Sequence, residues 1–205
     1  PDIDKIKDYY QSDEYEPFSY KKHSKLYRFV YRFIQYFAFK NKKRLLEKYL
    51  DTHSKNILDY GSGDGGFASY IKEEGWNVYT YEPNHISDEN NLNNINSLKN
   101  NDIEFDVMTF WHSLEHIHDL DEVFSFISTN LKKNGTIFFS LPNIDAIEKK
   151  YFKEDWAPYD APRHLYHFNI DTFKQLLSKY GFNLIKHKTL YQDTPYNIML
   201  SLKTM

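Results

Sequence analysis

Four of the seven glycines in this 205-residue chain lie close together, and they are the residues whose chemistry is easiest to interpret. Gly61, Gly63, Gly65 and Gly66 follow a short apolar run at 56–60 and precede a helical pattern. Glycine allows positive φ and lets the backbone approach a ligand without a Cβ in the way. At the carboxyl end of the first strand of a doubly wound fold, such a loop opens the crevice that binds nucleotides. We therefore expect a nucleotide-type cofactor here rather than only a tight turn.

The glycine spacing by itself fits two cofactors. Gly61, Gly63 and Gly66 satisfy the dinucleotide pattern G-x-G-x-x-G, and Glu82 lies at the distance of its ribose-binding acid. Asp59 favours S-adenosylmethionine instead, because a carboxylate there can act near an ammonium group but would repel a pyrophosphate. Glu82, after the next strand, is suited to accept hydrogen bonds from two ribose hydroxyls. The two carboxylates therefore favour S-adenosylmethionine over NAD.

Histidines supply the candidate bases for an acceptor. If the cofactor is S-adenosylmethionine, the expected reaction is methyl transfer. This is an in-line displacement at a sulfonium carbon, so much of its rate comes from alignment, and a hydroxyl acceptor also needs a base. The candidates are His164, His167 and His112, with His164 preferred and Asp160 as its partner. Arg163 either recognises a carboxylate or phosphate or pairs with Asp160 to hold the loop. A structural role for each histidine is an equal alternative. The residues expected to contact the acceptor are Trp156, Tyr159, Asp160 and Arg163.

The segment 112–116 matches H-x-x-E-H, a zinc-binding pattern of peptidases. That chemistry needs both histidines on one face of a continuous helix, together with a further carboxylate ligand. Here the segment directly follows a buried strand, so we expect His112 in the loop at the strand end. Glu115 and His116 would then fix the start of the next helix through hydrogen bonds. The sequence therefore predicts no metal.

The elements that position these residues alternate between strands and helices. Predicted strands cover 56–60, 78–81, 95–98, 105–111, 136–141 and 182–190, and predicted helices cover 24–50 (as one or two), 67–74, 120–131 and 171–180, the last capped by Asp171. This alternation indicates a mostly parallel sheet covered on both faces. The fold class is therefore α/β, a doubly wound Rossmann-like sheet with seven strands, or six if 196–202 does not form the last one.

One domain is expected over residues 1–205. Residues 1–50 form an N-terminal helical cap, 51–190 form a cofactor-binding core with a substrate-side insertion at about 144–170, and 191–205 form the last strand or begin a C-terminal extension. The cap is aromatic on one side and basic on the other, which also describes a membrane-surface helix, but packing on the core is the more common explanation. A net charge of −3 excludes a general nucleic-acid footprint. The absence of cysteine fits a reducing cytoplasm.

Several segments resemble motifs of the class I S-adenosylmethionine-dependent methyltransferases, in the same order along the chain. Segments 57–63 and 81–84 resemble motif I and the motif II acid of that family, and 105–108 with 111–116 resembles the fourth-strand motif of its ubiquinone-biosynthesis-like branch. Segment 141–143 is similar to the end of the fifth strand. Segment 156–168 resembles a signature of a bacterial branch associated with cell-surface glycan or secondary-metabolite gene clusters.

The resemblance implies roles that spacing does not single out. Asp59, Gly61 and Gly63 would hold the methionine part of the cofactor, and Glu82 would hold the ribose. The full implied set of cofactor contacts is Asp59, Tyr60, Gly61, Ser62, Gly63, Glu82, Pro83, Asn84, Ser97, Leu98, Trp111 and His112. The implied reaction moves a methyl group to a small-molecule or glycan acceptor, at an oxygen, and leaves S-adenosylhomocysteine. The alternatives are an NAD-dependent oxidoreductase and a catalytically silent S-adenosylmethionine-binding subunit.

Overall fold

The computed structural model describes Tyr9 and residues 25–50, 56–82, 103–190 and 194–204. Its contacts divide the chain into two compact units. The first, called the sheet unit below, comprises Tyr10–Leu114 and Asp119–Ser140. The second, called the histidine unit, comprises Pro1–Tyr9, Glu115–His118 and Leu141–Met205. Each unit is described separately.

A parallel sheet of four strands forms the centre of the described part of the sheet unit. Its strands are β1 (Asn56–Tyr60), β2 (Asn77–Tyr81), β3 (Phe105–Trp111) and β4 (Leu131–Ser140). The spatial order is β2-β1-β3-β4, and every adjacent pair is parallel. The chain continues from β1 to one side and later returns to the other side. Doubly wound folds bind ligands at such a switch point, at the carboxyl ends of the strands.

The central strands are continuous apolar runs because both of their faces are covered. All residues of β3 except Asp106 are buried, and so is β1 from Ile57 onward. Phe110 in β3 has no exposed surface, and its ring stacks between Tyr60 and Phe139. Full burial of such a side chain stabilises the fold by about 1.5–3 kcal/mol. This core holds the ends of β1 and β3 in place.

Three helices belong to the sheet unit: α1 (Lys25–Tyr49), α2 (Gly66–Glu73) and α3 (Leu120–Asn130). α1 packs on α2 through the ring of Phe39, which contacts Phe67 and Tyr70. Part of its apolar surface is nevertheless exposed, including Phe29 and Phe33. No helix in the described ranges is both long enough and apolar enough to cross a membrane.

The histidine unit is built from helices and short turns. Its helices are α4 (Ile147–Phe152), α5 (Ile170–Lys179) and α6 (Thr194–Thr204), and two 3-10 turns follow α4 at Lys153–Asp155 and Ala157–Tyr159. α6 contacts both turns. The Ser201 hydroxyl of α6 accepts a 2.9 Å hydrogen bond from the backbone N–H of Ala157. α6 thereby anchors the segment that carries the predicted acceptor residues.

The structure corrects several predicted elements. Residues 182–190 form no strand, and Ile185 is 77% exposed, so their apolar pattern has no sheet to bury it. Residues 196–202 lie in helix α6 rather than in a last strand. A short apolar run fits both the two-residue period of a strand and the 3.6-residue period of a helix, and here packing of the segment as a helix determines its structure. The cap of α5 is Asn169, whose side chain accepts from Thr172 N–H, and not Asp171. The predicted strand 95–98 lies outside the described residues.

Candidate functional site

The glycine loop after β1 is tied to the end of β2. The backbone N–H groups of Gly61 and Ser62 donate to the Tyr81 carbonyl at 2.7 and 3.2 Å, and Gly63 N–H donates to Glu82 Oε2 at 3.0 Å. Gly61 has φ +75°, and a Cβ built on it would lie 2.4 Å from the Cβ of Ser113. At Gly63, with φ +58°, a Cβ would meet no atom within 4 Å. The loop is therefore closely packed at Gly61 and open at Gly63.

Asp59, near the end of β1 and two residues before Gly61, is a buried carboxylate. Its side chain accepts a 2.7 Å hydrogen bond from the Thr109 hydroxyl, and the residue is 2% exposed. Burial raises the pKa of Asp59 to about 6, against the opposing effects of the Thr109 hydrogen bond and the Lys42 charge, and Glu82 raises it slightly further. A second positive charge nearby would favour the ionised form. The site therefore suits a cationic ligand group.

The aromatic residues at the strand ends are packed closely together. The rings of Tyr60 and Tyr81 are 4.6 Å apart, and burial raises the pKa of both phenols above the usual range. Trp111 ends β3, and the Lys42 ammonium lies 4.5 Å from the centre of its ring. The buried indole N–H of Trp111 meets no acceptor among the described residues. Lys42 and Trp111 thus form a cation–π contact, and the indole N–H of Trp111 is a hydrogen-bond donor that can bind a ligand.

His112 follows β3 with φ +55°, in the left-handed region. Its backbone N–H donates to the Ser140 carbonyl at 3.0 Å, and its Nε2 lies 3.1 Å from the Ser140 hydroxyl. The prediction that His112 lies in the loop at the strand end is confirmed. Glu115 and His116 lie in the 3-10 turn Leu114–His116. They were predicted to fix the start of the next helix, but the N-cap of α3 is Asp119, whose side chain accepts from Glu122 N–H at 2.8 Å.

Three residues of the sheet unit were not predicted from the sequence. Thr109 holds Asp59, Ser113 packs on Gly61 and donates to the Tyr60 carbonyl at 2.8 Å, and Lys42 projects its charge over Trp111. Thr109 carries a signal, since a hydroxyl within an otherwise apolar buried strand needs a hydrogen-bond partner. Lys42 carries none, because its neighbours Lys40, Lys43 and Arg44 look the same in sequence.

The predicted bases of the histidine unit have defined partners. His164 Nδ1 lies 2.9 Å from the Pro158 carbonyl, and its Nε2 lies 3.6 Å from Asp160 Oδ2. Burial lowers the pKa of His164, and His116 lowers it further. His167 is exposed, with Nε2 2.9 Å from the Tyr159 carbonyl. His164 is thus held in a cluster, whereas His167 lies at the surface.

The predicted acceptor residues fall into two groups. Arg163 donates through Nε to Asp160 Oδ1 at 2.9 Å and through Nη2 to the same oxygen, so the structure shows the loop-holding ion pair. Trp156 is 2% exposed and packs edge-on against Tyr159. Tyr159 and His167 instead line a pocket of about 670 Å³. Its other lining residues are Lys149, Lys150, Lys153, Glu154 and Ala161.

The sheet unit therefore brings together eight of the twelve predicted cofactor residues. These residues are Asp59, Tyr60, Gly61, Ser62, Gly63, Glu82, Trp111 and His112. Pro83, Asn84, Ser97 and Leu98 lie outside the described residues. The predicted acceptor residues and the bases His164 and His167 all belong to the histidine unit.

Comparison with known proteins identifies the family. Residues 30–187 match the family model Methyltransf_23, described as a methyltransferase domain. An uncharacterized protein of Methanocaldococcus jannaschii is 26% identical over 178 residues, covering 84% of this chain and 76% of the relative. The structure is similar to a SAM-dependent methyltransferase from Archaeoglobus fulgidus, with TM-score 0.58, 20% identity and coverage of 88% and 91% of the two chains.

A second solved structure has the same fold. Magnesium protoporphyrin IX methyltransferase from Synechocystis PCC 6803, which holds SAH, matches with TM-score 0.59 and 12% identity over 90% of this chain and 91% of that one. At this identity the likeness concerns the fold. The family model, the order of the strands and the glycine loop after β1 all indicate a methyltransferase domain. The chain belongs to the Methyltransf_23 family of methyltransferase domains and has the fold of the class I S-adenosylmethionine-dependent methyltransferases.

Proposed function

We propose that this methyltransferase takes S-adenosylmethionine as donor, methylates an oxygen of a small-molecule or glycan acceptor, and releases S-adenosylhomocysteine. The donor assignment is carried by two carboxylates at the ends of adjacent strands. Asp59 lies opposite Thr80 near the end of β1, and Glu82 directly follows β2 and holds the glycine loop through Gly63 N–H.

The chemistry of these residues fits S-adenosylmethionine. Its ammonium and sulfonium groups are cationic and its ribose hydroxyls are donors, and carboxylates complement both. Asp59, Gly61 and Gly63 would hold the methionine part, Glu82 the ribose, and Trp111 with His112 the methyl-donor end. NAD is disfavoured because its pyrophosphate would meet the negative field of Asp59. The open space at Gly63 supports a close approach of the ligand to the backbone.

The acceptor assignment is carried by the pocket of the histidine unit. His167 lines it, and since its Nε2 faces the Tyr159 carbonyl, this atom carries the ring proton and Nδ1 presents the lone pair. We assign His167 Nδ1 as the base that takes the acceptor hydroxyl proton. S-adenosylmethionine supplies an activated methyl group when bound, so the chain's own residues have to align the acceptor and accept that proton.

The charge of the pocket supports an anionic acceptor. Lys149, Lys150 and Lys153 line it against one acid, Glu154. The Lys149 ammonium also lies 5.8 Å from the centre of the Tyr159 ring. Ammonium groups of lysine attract a carboxylate or phosphate. A sugar acid or a phosphorylated small molecule that carries a free hydroxyl would satisfy both features.

The test has a binding arm and a transfer arm. Isothermal titration calorimetry with S-adenosylhomocysteine and with NAD is expected to show binding of the first alone. Incubation with S-adenosylmethionine labelled in the methyl group, against cell-envelope and metabolite extracts, is expected to label an anionic acceptor at oxygen. If NAD binds and S-adenosylhomocysteine does not, the assignment of S-adenosylmethionine as the cofactor is wrong and the NAD-dependent oxidoreductase is favoured. Binding without transfer to any acceptor pool would support the silent subunit.

A further inference from the structure

Two segments of the histidine unit that are distant in sequence are held together around three metal-ligating side chains. The Leu165 N–H donates to the Glu115 carbonyl at 2.8 Å, and the Tyr166 hydroxyl donates to the His118 carbonyl at 3.2 Å. These bonds place Glu115 and His116 beside His164. The rings of His116 and His164 meet edge to face, with centroids 4.5 Å apart.

We propose that Glu115, His116 and His164 form a binding site for a divalent transition-metal ion of the Zn²⁺ class. One ligand atom from each residue lies within 4.8 Å of the other two. Ligands of a tetrahedral Zn²⁺ ion at about 2.0–2.1 Å from the metal are roughly 3.4 Å apart. Small side-chain rotations within the cluster therefore bring the three atoms to ligand distance.

The outer hydrogen bonds of both histidines are those of metal-binding imidazoles. His116 Nδ1 lies 3.1 Å from the Arg163 carbonyl, and His164 Nδ1 lies 2.9 Å from the Pro158 carbonyl. A carbonyl can only accept, so each Nδ1 carries the proton and each neutral ring presents its lone pair at Nε2. Metal-ligating histidines characteristically donate their other N–H to a carbonyl or carboxylate, which fixes the ring.

The burial and charge of the cluster also suit a cation. Glu115 has no exposed surface, so a metal would receive an anionic ligand in a setting that water does not screen. Asp160 Oδ2 lies 3.6 Å from His164 Nε2, while Oδ1 of the same carboxylate accepts from Arg163, so an ion pair flanks the site.

Two imidazoles and one carboxylate define the class of metal and its use. This donor set binds Zn²⁺ and other first-row divalent ions, and three protein ligands keep a position open for a further oxygen. The rings of His164 and His167 are 6.3 Å apart, so the site neighbours the proposed base. In a role that rests on the proposed function, the metal would polarise the acceptor hydroxyl and lower its pKa.

Metal binding can be tested without any transfer reaction. The full chain, purified without a polyhistidine tag and stripped with a chelator, is titrated with Zn²⁺ alone by calorimetry, and its metal content is measured after gel filtration. One ion per chain is expected. His164→Asn and Glu115→Gln are each expected to weaken binding by at least about 10–100-fold. His187→Asn, which changes an exposed histidine outside the cluster, should leave the affinity unchanged.

The binding of S-adenosylhomocysteine separates this proposal from the proposed function. A His164→Asn protein that is folded by circular dichroism and binds S-adenosylhomocysteine normally, but has lost Zn²⁺ binding, supports the metal site. Equal Zn²⁺ affinity in the native and His164→Asn proteins, or no binding by the native protein, would overturn it. If the unsubstituted protein does not bind S-adenosylhomocysteine, this result would instead contradict the donor assignment. Because Glu115 is buried and the Glu115→Gln variant can fail to fold, the His164→Asn variant provides the deciding test of the metal site.

Discussion

The Thr109 hydroxyl on β3 donates a 2.7 Å hydrogen bond to the Asp59 carboxylate on the neighbouring strand β1. The two residues are direct partners in the parallel register of these strands. The bond opposes the effect of burial, which raises the pKa of Asp59 to about 6. The protonation state of Asp59 thus depends on a hydroxyl whose position is determined by strand pairing, and this dependence can be measured.

Replacing Asp59 with Asn is expected to weaken the binding of S-adenosylhomocysteine. Hydrogen bonds and ion pairs to a charged partner contribute about 1.5–3 kcal/mol, so the dissociation constant should rise roughly 10–150-fold. Calorimetry at neutral pH measures the change. Asp171→Asn is the matched control, since that carboxylate is 79% exposed on α5. An unchanged affinity in Asp59→Asn would remove Asp59 from the donor site.

The raised pKa of Asp59 predicts how stability changes with pH. The pKa is 3.8 for the unperturbed group and about 6 in the fold, so the native state binds this proton more tightly. Between these values the unfolded chain ionises first, and the free energy of unfolding decreases as the pH rises. The loss is on the order of 3 kcal/mol and is complete above about pH 6.

Urea unfolding at a series of pH values measures this effect. The amide side chain of the Asp59→Asn variant cannot ionise. The free energy of unfolding of this variant, relative to that of the unsubstituted protein, is therefore expected to increase as the pH rises through this range. A difference between the two proteins that is constant with pH would show that Asp59 titrates normally.

Lys42 is expected to influence the same titration. Its charge lowers the pKa of Asp59, so Lys42→Met should move the pH midpoint of the stability change upward. Lys40→Met, on the same helix, is the control and should leave the midpoint in place. The Lys42 variant should also alter the tryptophan fluorescence, because the ammonium lies 4.5 Å from the centre of the Trp111 ring. The opposite shift of the midpoint would contradict the arrangement.

Two glycines of the loop are expected to respond differently to alanine. Gly61→Ala introduces a Cβ that would lie 2.4 Å from Ser113 Cβ, and we expect a loss of about 1–3 kcal/mol from overpacking, in addition to strain at positive φ. Gly63→Ala meets only strain, about 1–2 kcal/mol, because its Cβ has open space. Thermal unfolding compares them. Adding Ser113→Gly should partly rescue Gly61→Ala, and rescue of Gly63→Ala as well would contradict the packing argument.

His167→Gln tests the proposed base. We expect kcat to fall by about 10²–10⁴ with S-adenosylhomocysteine affinity unchanged, since general-base catalysis contributes about that much. The assay is initial-rate transfer to the acceptor found with labelled donor. His187→Gln is the control histidine, exposed and outside the pocket. A full rate in the His167 variant would leave the base to His164 or His112.

The pattern of residues along the chain was sufficient to predict the fold class and the cofactor loop. β1, β2 and β3 lie within about one residue of their predicted positions, and so do α2 and α3. These are long or strongly apolar segments bounded by glycine or a capping aspartate, where local chemistry and burial agree. The spacing of Asp59 and Glu82 around the glycines also follows from the sequence, because strand ends of a parallel sheet meet at one edge.

Tertiary packing alone decided the rest. The apolar patterns of segments 182–190 and 196–202 fit both a strand and a helix. Only the surrounding structure determines that 182–190 forms no strand and that 196–202 is helical. Burial of Asp59 and its bond to Thr109 depend on register between strands fifty residues apart in sequence. The pattern H-x-x-E-H draws attention to Glu115 and His116 in the sequence, but only contacts between distant segments bring His164 beside them. Sequence spacing determines which side chains share an element, whereas long-range packing determines which of them meet.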